Sequence, residues 1–327
     1  MSSRRSFIRQ LGGVTTMASL SGIPLSIPRS NAIPSGKDKP LCIGIIGAEN
    51  SHTIEYGRIF NISKKFPGAA LRYVWGETSE FAQAAAREGN IPVIVQDPGE
   101  MLGKINALIV DHRHPKYHLP AALPFVKAGI PCFIDKPFCY RLEEGKRFLE
   151  TARLFGAAVT SYSSVSQSNK TADMAAQAAK LSDISQIVMT GPADPESVYG
   201  GIFFYGIHMV QPLITVFGEG IEKVRFTRSG IQSGANLVYR NGRLVTFIFT
   251  SHSNGWQTWV ERPEGMIKLE SDVPEPDPGK NYADMVEMFR TGKEPVSQTS
   301  ILTSIAVLEA LERSVSSDQW EMVASVT

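Results

Sequence analysis

The residues best placed to do chemistry lie in one segment that combines strand, loop and helix patterns. Ala107–Val110 is apolar and rich in β-formers, His118–Lys127 has helical spacing, and 131–134 is a second apolar run. These patterns predict a strand–helix–strand unit. Because ligands bind outside the carboxyl ends of parallel strands, this unit directs His118 and Lys136 to the same place.

Three histidines within seven residues, His112, His114 and His118, raise the question of a metal site. Structural zinc sites usually add cysteines or further histidines at defined spacing, and no acidic partner cluster is evident in the sequence. We therefore predict that the protein has no metal. The three cysteines form no metal pattern and no even disulfide set, so buried thiols are expected.

Alternating strand and helix patterns precede this segment and predict a parallel, doubly wound sheet. A Rossmann-like dinucleotide-binding domain is therefore expected over residues 40–161. The expected strands cover 40–47, 70–75 and 92–95, and the expected helices cover 53–65 and 79–88.

The turn after the first strand departs from the G-x-G-x-x-G pattern of dinucleotide-binding folds. Gly47 fits, but Glu49 and His52 occupy the second and third glycine positions. A carboxylate there would repel the pyrophosphate. Dinucleotide binding then requires that Glu49 points away, or that Asn50, Ser51 and the helix amino end supply donors to the anion.

An acidic residue after the second strand, Glu77, is the one candidate for the ribose-binding acid of such folds. Alternatively, Glu77 is an exposed loop residue without a role in binding. Asp111 opens the polar loop that follows the fourth strand, at the same edge of the sheet. The predicted cofactor-binding residues are Gly47, Asn50, Ser51, His52, Glu77, Asp111, His118 and Lys136.

Residues 162–327 show strand and turn patterns that predict a second domain, of the α+β class. Strand runs flank the turn Asn241-Gly242, which is a strong hairpin signal. A second hairpin is expected over 256–269. Hairpins after strand–helix–strand units predict an open antiparallel sheet, one face of which could meet the cofactor crevice or a partner subunit. The expected helices cover 170–181, 206–217, 282–290 and 301–313.

These motifs together resemble the Gfo/Idh/MocA oxidoreductases, the family of glucose–fructose oxidoreductase and inositol dehydrogenase. The resemblance rests on the spacing of His118 and Lys136, on the tripeptide Asp135-Lys136-Pro137 with Asp in place of the usual Glu, and on Gly206-Ile207-His208. The segment 292–297 and the apolar helix after it also match. The resemblance implies a Rossmann-like fold with NAD or NADP as cofactor.

The resemblance also implies roles for the two candidate catalytic residues. Lys136 would lie between the nicotinamide and the substrate hydroxyl, where it stabilises alkoxide-like charge and relays a proton. His208 would be the general acid/base, because the unperturbed pKa of a histidine lies near neutrality. An ion pair of Lys136 with Asp135 and a buried structural role for His208 are the alternatives. Tyr162, Tyr205 and His208 are the predicted substrate contacts, although either tyrosine could equally belong to the core.

Two positions of the second half depart from the family pattern. Phe204 stands where the family often has an acid four residues before its histidine, and Gln211 stands where an acid is common three residues after it. No acid close in sequence therefore orients His208, and a carboxylate from elsewhere would be needed.

Residues 1–32 have the features of a twin-arginine export signal, with Arg4-Arg5, a modest apolar stretch interrupted by Pro24, and small residues before position 33. A disordered basic tail is the alternative. Residues 33–39 would be a linker. The signal implies export of the folded protein, and a periplasmic location is expected. No other segment is expected to span a membrane.

The composition excludes some classes of function. The chain has 327 residues, 43% of them hydrophobic, and a net charge of +1 without a dense basic stripe, which argues against a nucleic-acid partner. We expect an exported NAD(P)-dependent oxidoreductase that acts on a hydroxyl-bearing carbon of a sugar, polyol or glycoside. A homo-oligomer could form through the C-terminal sheet. The alternatives are a periplasmic sugar-binding protein that has lost the cofactor, and a redox-assisted lyase or glycoside-cleaving enzyme.

Overall fold

A six-stranded parallel sheet forms the first half of the computed structural model, which describes residues 40–252 and 255–326. Its strands are β1 (Leu41–Ile46), β2 (Ala69–Trp75), β3 (Val93–Ile94), β4 (Ala107–Val110), β5 (Cys132–Ile134) and β6 (Val159–Thr160). Their order is β3-β2-β1-β4-β5-β6. The central strands are apolar and buried on both faces, as expected for a parallel sheet covered by helices. The predicted doubly wound parallel sheet is confirmed.

The helices of this half are α1 (His52–Gly57), α2 (Ser79–Glu88), α3 (His118–Lys127) and α4 (Leu142–Phe155). Helix α2 begins after Thr78, whose hydroxyl accepts a hydrogen bond from the Phe81 amide. The helix predicted over 53–65 is shorter, because α1 gives way to a π-helical turn, Arg58–Ile62. Gly57 lets α1 pack closely on the end of α2, since a Cβ there would lie 2.4 Å from the Gly89 Cα.

The second sheet has seven strands, and it is mixed rather than antiparallel. Its strands are β7 (Gln186–Pro192), β8 (Ile221–Ser229), β9 (Gln232–Tyr239), β10 (Leu244–Thr250), β11 (Gln257–Arg262), β12 (Gly265–Leu269) and β13 (Glu321–Met322). Their order is β12-β11-β7-β10-β9-β8-β13. Both predicted hairpins are confirmed, as β9–β10 and β11–β12. The predicted α+β domain is confirmed, and its sheet is mostly antiparallel, while β7 and β10 pair in parallel after a long connection.

Helix α8 (Gln298–Ser317) connects the two halves of the hydrophobic core. The other helices of this half are α5 (Asn169–Ala178), α6 (Phe203–Phe217) and α7 (Lys280–Thr291). Helix α8 packs on α4 from the first half and on α6 and β8 from the second. Its Glu309 carboxylate accepts the Leu142 amide at 3.0 Å, and its Glu312 binds Arg141 at 2.7 Å. The two sheets therefore belong to one compact unit.

The predicted export signal and linker, residues 1–39, lie outside the described residues. Within the described ranges, no helix is both long and apolar enough to cross a bilayer. The predicted domain boundary at 161/162 falls in the loop between β6 and α5, and the division into two domains stays a prediction.

Candidate active site

Three loops meet at the carboxyl edge of the parallel sheet. They follow β1, β4 and β5 and begin at Gly47, Asp111 and Asp135. Gly47 has φ +108°, and a Cβ at this position would lie 2.6 Å from the Asp111 carbonyl carbon and 2.7 Å from the His112 nitrogen. Glycine is therefore required for the first turn to pack on the loop after β4.

The side chain of Glu49 is directed to the second half of the chain. Its carboxylate accepts a hydrogen bond from the Tyr199 hydroxyl at 2.7 Å. Arg113 donates to the same hydroxyl at 3.1 Å, and its guanidinium carbon lies 4.4 Å from the centre of the Tyr199 ring. Dinucleotide binding was expected to require that Glu49 points away from the phosphates or that nearby amides bind them. The structure has the first arrangement, because Tyr199 holds the Glu49 carboxylate.

Glu77 follows β2 and lies against the first turn. One carboxylate oxygen accepts the backbone amides of Ala48 at 2.8 Å and Glu49 at 2.9 Å, and the other contacts His112 Nδ1 at 2.8 Å. Burial alone would raise the pKa of Glu77, but His112 and these amides outweigh it and lower the pKa to about 2. The acid is therefore ionised at the position where a ribose-binding acid is expected.

A buried cluster of polar side chains joins the three loops. The Asn50 amide nitrogen lies 3.1 Å from Asp111 Oδ1, 3.3 Å from Asp135 Oδ2 and 3.3 Å from His52 Nδ1. Thr53 donates a 2.6 Å hydrogen bond to the second oxygen of Asp111. Sequence reasoning placed Asn50, His52 and Asp111 in the site and did not assign a role there to Asp135. The position of Asp135 directly after β5 is the sequence feature that could have indicated this role.

The charges of this cluster are balanced by two cations. His52 Nδ1 lies 3.6 Å from Asp111 and 3.5 Å from Asp135, and Lys136 Nζ lies 3.9 Å from Asp135. Burial and the neighbouring Asp135 raise the pKa of Asp111. Burial would also raise the pKa of Asp135, but Lys136 and His52 outweigh it and lower the pKa. Asp135 is thus the carboxylate whose charge the cluster stabilises.

One group of possible metal ligands occurs in the described part of the chain. His52, Asp111 and Asp135 each offer one atom, and these atoms lie within 4.8 Å of one another. The three histidines considered from the sequence are engaged elsewhere: His112 contacts Glu77, and His114 accepts the Lys116 amide. His118 makes two backbone contacts. The predicted absence of a metal stays a prediction.

The cluster makes the stability of the fold depend on pH through His52. Partial burial would lower the pKa of His52, but Asp135 and Asp111 outweigh it and raise the pKa to about 10. Because this value lies above that of the unfolded chain, at about 6.5, the stabilisation is fully present below about pH 6.5 and falls as the pH rises towards 10.

We therefore expect the difference in melting temperature between the wild type and His52→Asn to shrink as the pH is raised from about 6 to about 10.5. Thermal unfolding at several pH values measures it. The exposed His252 provides the control, as His252→Asn. A difference that stays constant with pH would show that the charge of His52 does not stabilise the fold.

Lys136 faces the second half of the protein. Only 11% of its side chain is exposed, and its ammonium lies 5.6 Å from the centre of the Phe204 ring. Its Nζ makes no hydrogen bond to any residue that the structure describes. Phe204, which stands at the position of the missing acid, thus presents a ring to the ammonium instead of a carboxylate.

His208 lies on α6, one turn after Phe204. It is 7% exposed, and its Nδ1 lies 2.6 Å from the Ser163 hydroxyl. Tyr205 and Trp256 each place a ring centre 5.8 Å from the imidazole. Burial and the charge of Lys136 lower the pKa of His208 well below its usual value. The two predicted catalytic residues are therefore close enough for one charge to act on the other.

Sequence reasoning missed the groups that orient His208. Ser163 contacts its Nδ1, and Gln211 accepts the Ser163 amide at 2.6 Å. A carboxylate was expected near His208 Nδ1, and a hydroxyl from the loop after β6 lies there instead. Because serine is common in loops, the residue type of Ser163 gave no indication of this role. Only its contact with His208 shows it.

The structure corrects the expected placement of His118, which is fully buried. Its Nδ1 lies 2.8 Å from the Pro137 carbonyl oxygen and its Nε2 lies 2.7 Å from that of His112. Burial lowers its pKa to about 4. His118 therefore holds the loops after β4 and β5 together and does not line the cleft.

The two predicted substrate tyrosines lie in different surroundings. Tyr162 is 3% exposed, donates its hydroxyl to the Asn281 carbonyl at 2.5 Å and packs on Phe133, so its expected place in the cleft is wrong. Tyr205 is exposed beside His208 and lines a cavity of about 450 Å³. The polar residues of this cavity include Asp194, Glu196, Arg228, Ser233, Thr250 and Ser251.

The parallel sheet and its loops match a known protein family. Residues 41–163 match the Gfo/Idh/MocA model, which is described as an oxidoreductase family with an NAD-binding Rossmann fold. Residues 41–163 are thus similar to the NAD-binding domain of this family. The match supports the predicted family over these residues, and the predicted cofactor class, NAD or NADP, is confirmed. A search of curated proteins finds no match to the chain.

Solved structures share the fold of this chain along most of its length. GenD2 from gentamicin A biosynthesis, in complex with NAD, has a TM-score of 0.74 and 14% identity, over 90% of this chain and 99% of that one. The myo-inositol dehydrogenase of Lactobacillus casei, in complex with NAD(H) and myo-inositol, has a TM-score of 0.74 and 14% identity, over 88% and 97%. The WlbA dehydrogenase of Bordetella pertussis, in complex with NADH and UDP-GlcNAcA, has a TM-score of 0.70 and 18% identity, over 88% and 99%.

The turn after β1 fits a dinucleotide. The backbone amides of Asn50 and Ser51 have no hydrogen-bond partner within the described part of the chain, so they can donate to a phosphate. Glu77 offers an ionised carboxylate beside them, and Glu49 is held by Tyr199. The turn and Glu77 would hold the nucleotide, and Lys136 follows at the same edge.

Proposed function

We propose that the protein is an exported NAD(P)-dependent dehydrogenase that acts on a hydroxyl-bearing carbon of a sugar, polyol or glycoside. The supporting observation is the proximity of Lys136 and His208, which the charge effect of one on the other indicates. Both side chains are largely buried, and the charge of Lys136 lowers the pKa of His208. Each also keeps a nitrogen without a hydrogen-bond partner in the described residues, as a site for a polar ligand requires.

The chemistry of this pair suits a carbon that changes between alcohol and ketone. The dinucleotide supplies or accepts the hydride when it is bound. Lys136 lies where an ammonium can stabilise the negative charge that develops on the substrate oxygen. In the reducing direction it gives that oxygen a proton, and in the oxidising direction it takes the proton back. Asp135 lies beside Lys136, and the half-exposed His52 lies beside Asp135, so these two residues can return the proton from solvent.

The cavity that Tyr205 lines supports a polyhydroxylated substrate. Its wall carries carboxylates, hydroxyls and Arg228 beside the ring of Tyr205. Polar groups of this kind orient hydroxyls, and an aromatic ring can cover the apolar face of a sugar. The ligands in the complexes of two structural neighbours, myo-inositol and UDP-GlcNAcA, belong to the same chemical class.

Export and assembly are part of the proposal. The twin-arginine pattern in residues 1–32 supports export of a folded, cofactor-loaded protein. Exposed apolar side chains on β12, Met266 and Ile267, support a homo-oligomer through the second sheet.

Purified protein provides the test of this function. We expect mass spectrometry of the denatured protein to detect NAD or NADP, and we expect nicotinamide absorbance to change when inositols, hexoses or glycosides are added. Protein that neither retains nor binds a nicotinamide nucleotide, at any concentration tested, would overturn the proposal. Loss of a glycosidic bond without net change in the nucleotide would instead identify the lyase-type reaction.

A non-catalytic sugar-binding protein is the second candidate, and Phe204 is the observation that favours it. An aromatic ring replaces an acid that is frequent in the family, and it faces Lys136 at 5.6 Å. Calorimetric binding of a sugar by protein that does not bind nucleotide would identify this function.

A further inference from the structure

We infer that Ser163 fixes the tautomer of His208, so that the proton of the neutral imidazole resides on Nε2 and His208 faces the cleft as a hydrogen-bond donor. This inference deepens the proposed function and rests on it for its catalytic meaning. Ser163 is a positioning residue, because it contacts His208 and not the cleft.

The first step concerns the proton of the Ser163 hydroxyl. The oxygen lies 2.6 Å from His208 Nδ1 and accepts the Val165 amide at 3.1 Å. No other acceptor contacts this hydroxyl among the residues that the structure describes. Because a hydroxyl has one proton to donate and the amide already occupies a lone pair, the proton of Ser163 points to Nδ1.

The second step concerns the imidazole. A neutral imidazole that accepts at Nδ1 carries its proton on Nε2. Protonation of both nitrogens is opposed by burial and by the charge of Lys136, while Asp135 acts in the other direction and His52 adds to the opposition. The groups that face His208 thus include both cations of the cluster and the rings of Tyr205 and Trp256.

The third step concerns the rigidity of the pair. Ser163 is fully buried, and three further hydrogen bonds hold its backbone. Gln211, which lies one turn after His208 on α6, accepts the Ser163 amide at 2.6 Å. The Ser163 carbonyl accepts the Ser166 hydroxyl at 2.9 Å and the Gln167 amide at 3.0 Å. The hydroxyl therefore keeps its place relative to the imidazole.

The consequence is a division of roles in the cleft. A His208 that donates from Nε2 binds the lone pair of a carbonyl or hydroxyl oxygen and orients it, and proton transfer falls to Lys136. The general acid/base role expected from the sequence would need a free lone pair on Nε2. The inferred tautomer lacks that lone pair.

The experiment is ¹⁵N NMR of protein with labelled histidine, in which long-range proton–nitrogen correlations show which ring nitrogen carries the proton. His208→Asn assigns the signal. We expect the Nε2–H pattern in the wild type between about pH 6 and pH 8, and a mixture of tautomers in Ser163→Ala. Ser304→Ala, which removes a buried hydroxyl that donates to the Ile301 carbonyl of α8, should leave the pattern unchanged.

Either of two results would overturn the inference: an Nδ1–H pattern in the wild type, or an unchanged pattern in Ser163→Ala. If Ser163→Ala does not fold, the wild-type spectrum alone decides. In the active enzyme, loss of one orienting hydrogen bond should lower kcat about tenfold with little change in the KM for the substrate. The NMR result does not depend on turnover, so the inference and the proposed function can fail separately.

Discussion

Replacing Lys136 by methionine is expected to lower the turnover number about 10²- to 10³-fold, because it removes the ammonium that stabilises charge on the substrate oxygen. Methionine keeps most of the apolar part of the side chain and removes the ammonium, which lies 5.6 Å from the centre of the Phe204 ring. The fold should be retained, since Lys136 makes no hydrogen bond within the described residues. Steady-state kinetics with the substrate found by nicotinamide absorbance measure the effect.

The matched control for this variant is Lys104→Met, at an exposed position before β4. We expect it to keep the wild-type rate. Circular dichroism and a thermal melt establish that both variants are folded. A Lys136→Met protein that turns over at nearly the wild-type rate would remove Lys136 from the chemistry and leave it as the ion-pair partner of Asp135.

The second large effect is expected on stability, for Asp135→Asn. This change removes the carboxylate that faces both His52 and Lys136 and leaves two cations without their common partner. Breaking a buried charge interaction in this way costs about 3–5 kcal/mol. Chemical denaturation at pH 7 measures the free energy of unfolding directly and does not require the enzyme to be active.

Asp111→Asn is the comparison that makes this prediction specific. It is the same chemical change in the same cluster, but burial and Asp135 raise the pKa of Asp111, so its charge is disfavoured in the folded protein. We expect a clearly smaller loss of stability. The reverse order of the two variants would show that the charges of the cluster are not distributed as the contacts indicate.

The sequence was sufficient to predict the fold because apolar periodicity and turn residues act locally. Ala107–Val110 and His118–Lys127 have the bounds that the pattern predicted. The hairpin at Asn241-Gly242 followed from its turn type. The parallel pairing of β7 with β10 could not be predicted in this way, since it depends on how a long connection returns to the sheet.

The site was predicted in part. The residues directly after β1, β4 and β5 meet because parallel strands end at one edge, and this rule needs only the order of the strands. Contacts that cross the cleft follow no such rule. Neither the Tyr199 contact to Glu49 nor the Ser163 contact to His208 has a local pattern. His118 was misplaced because a buried histidine with two carbonyl partners looks the same in a sequence as one that lines a cleft.

Helix α8 carries no polar group of the cleft, yet both walls are built on it. It holds the start of α4, shortly after Lys136 in the chain, through Glu309 and Glu312, and it packs on α6, which bears His208. The distance between Lys136 Nζ and the His208 imidazole thus depends on the packing and the glutamate contacts of α8, which forms no hydrogen bond with either group. The relative position of Lys136 and His208 is therefore set by the packing of the protein core, and it does not depend on a bound ligand.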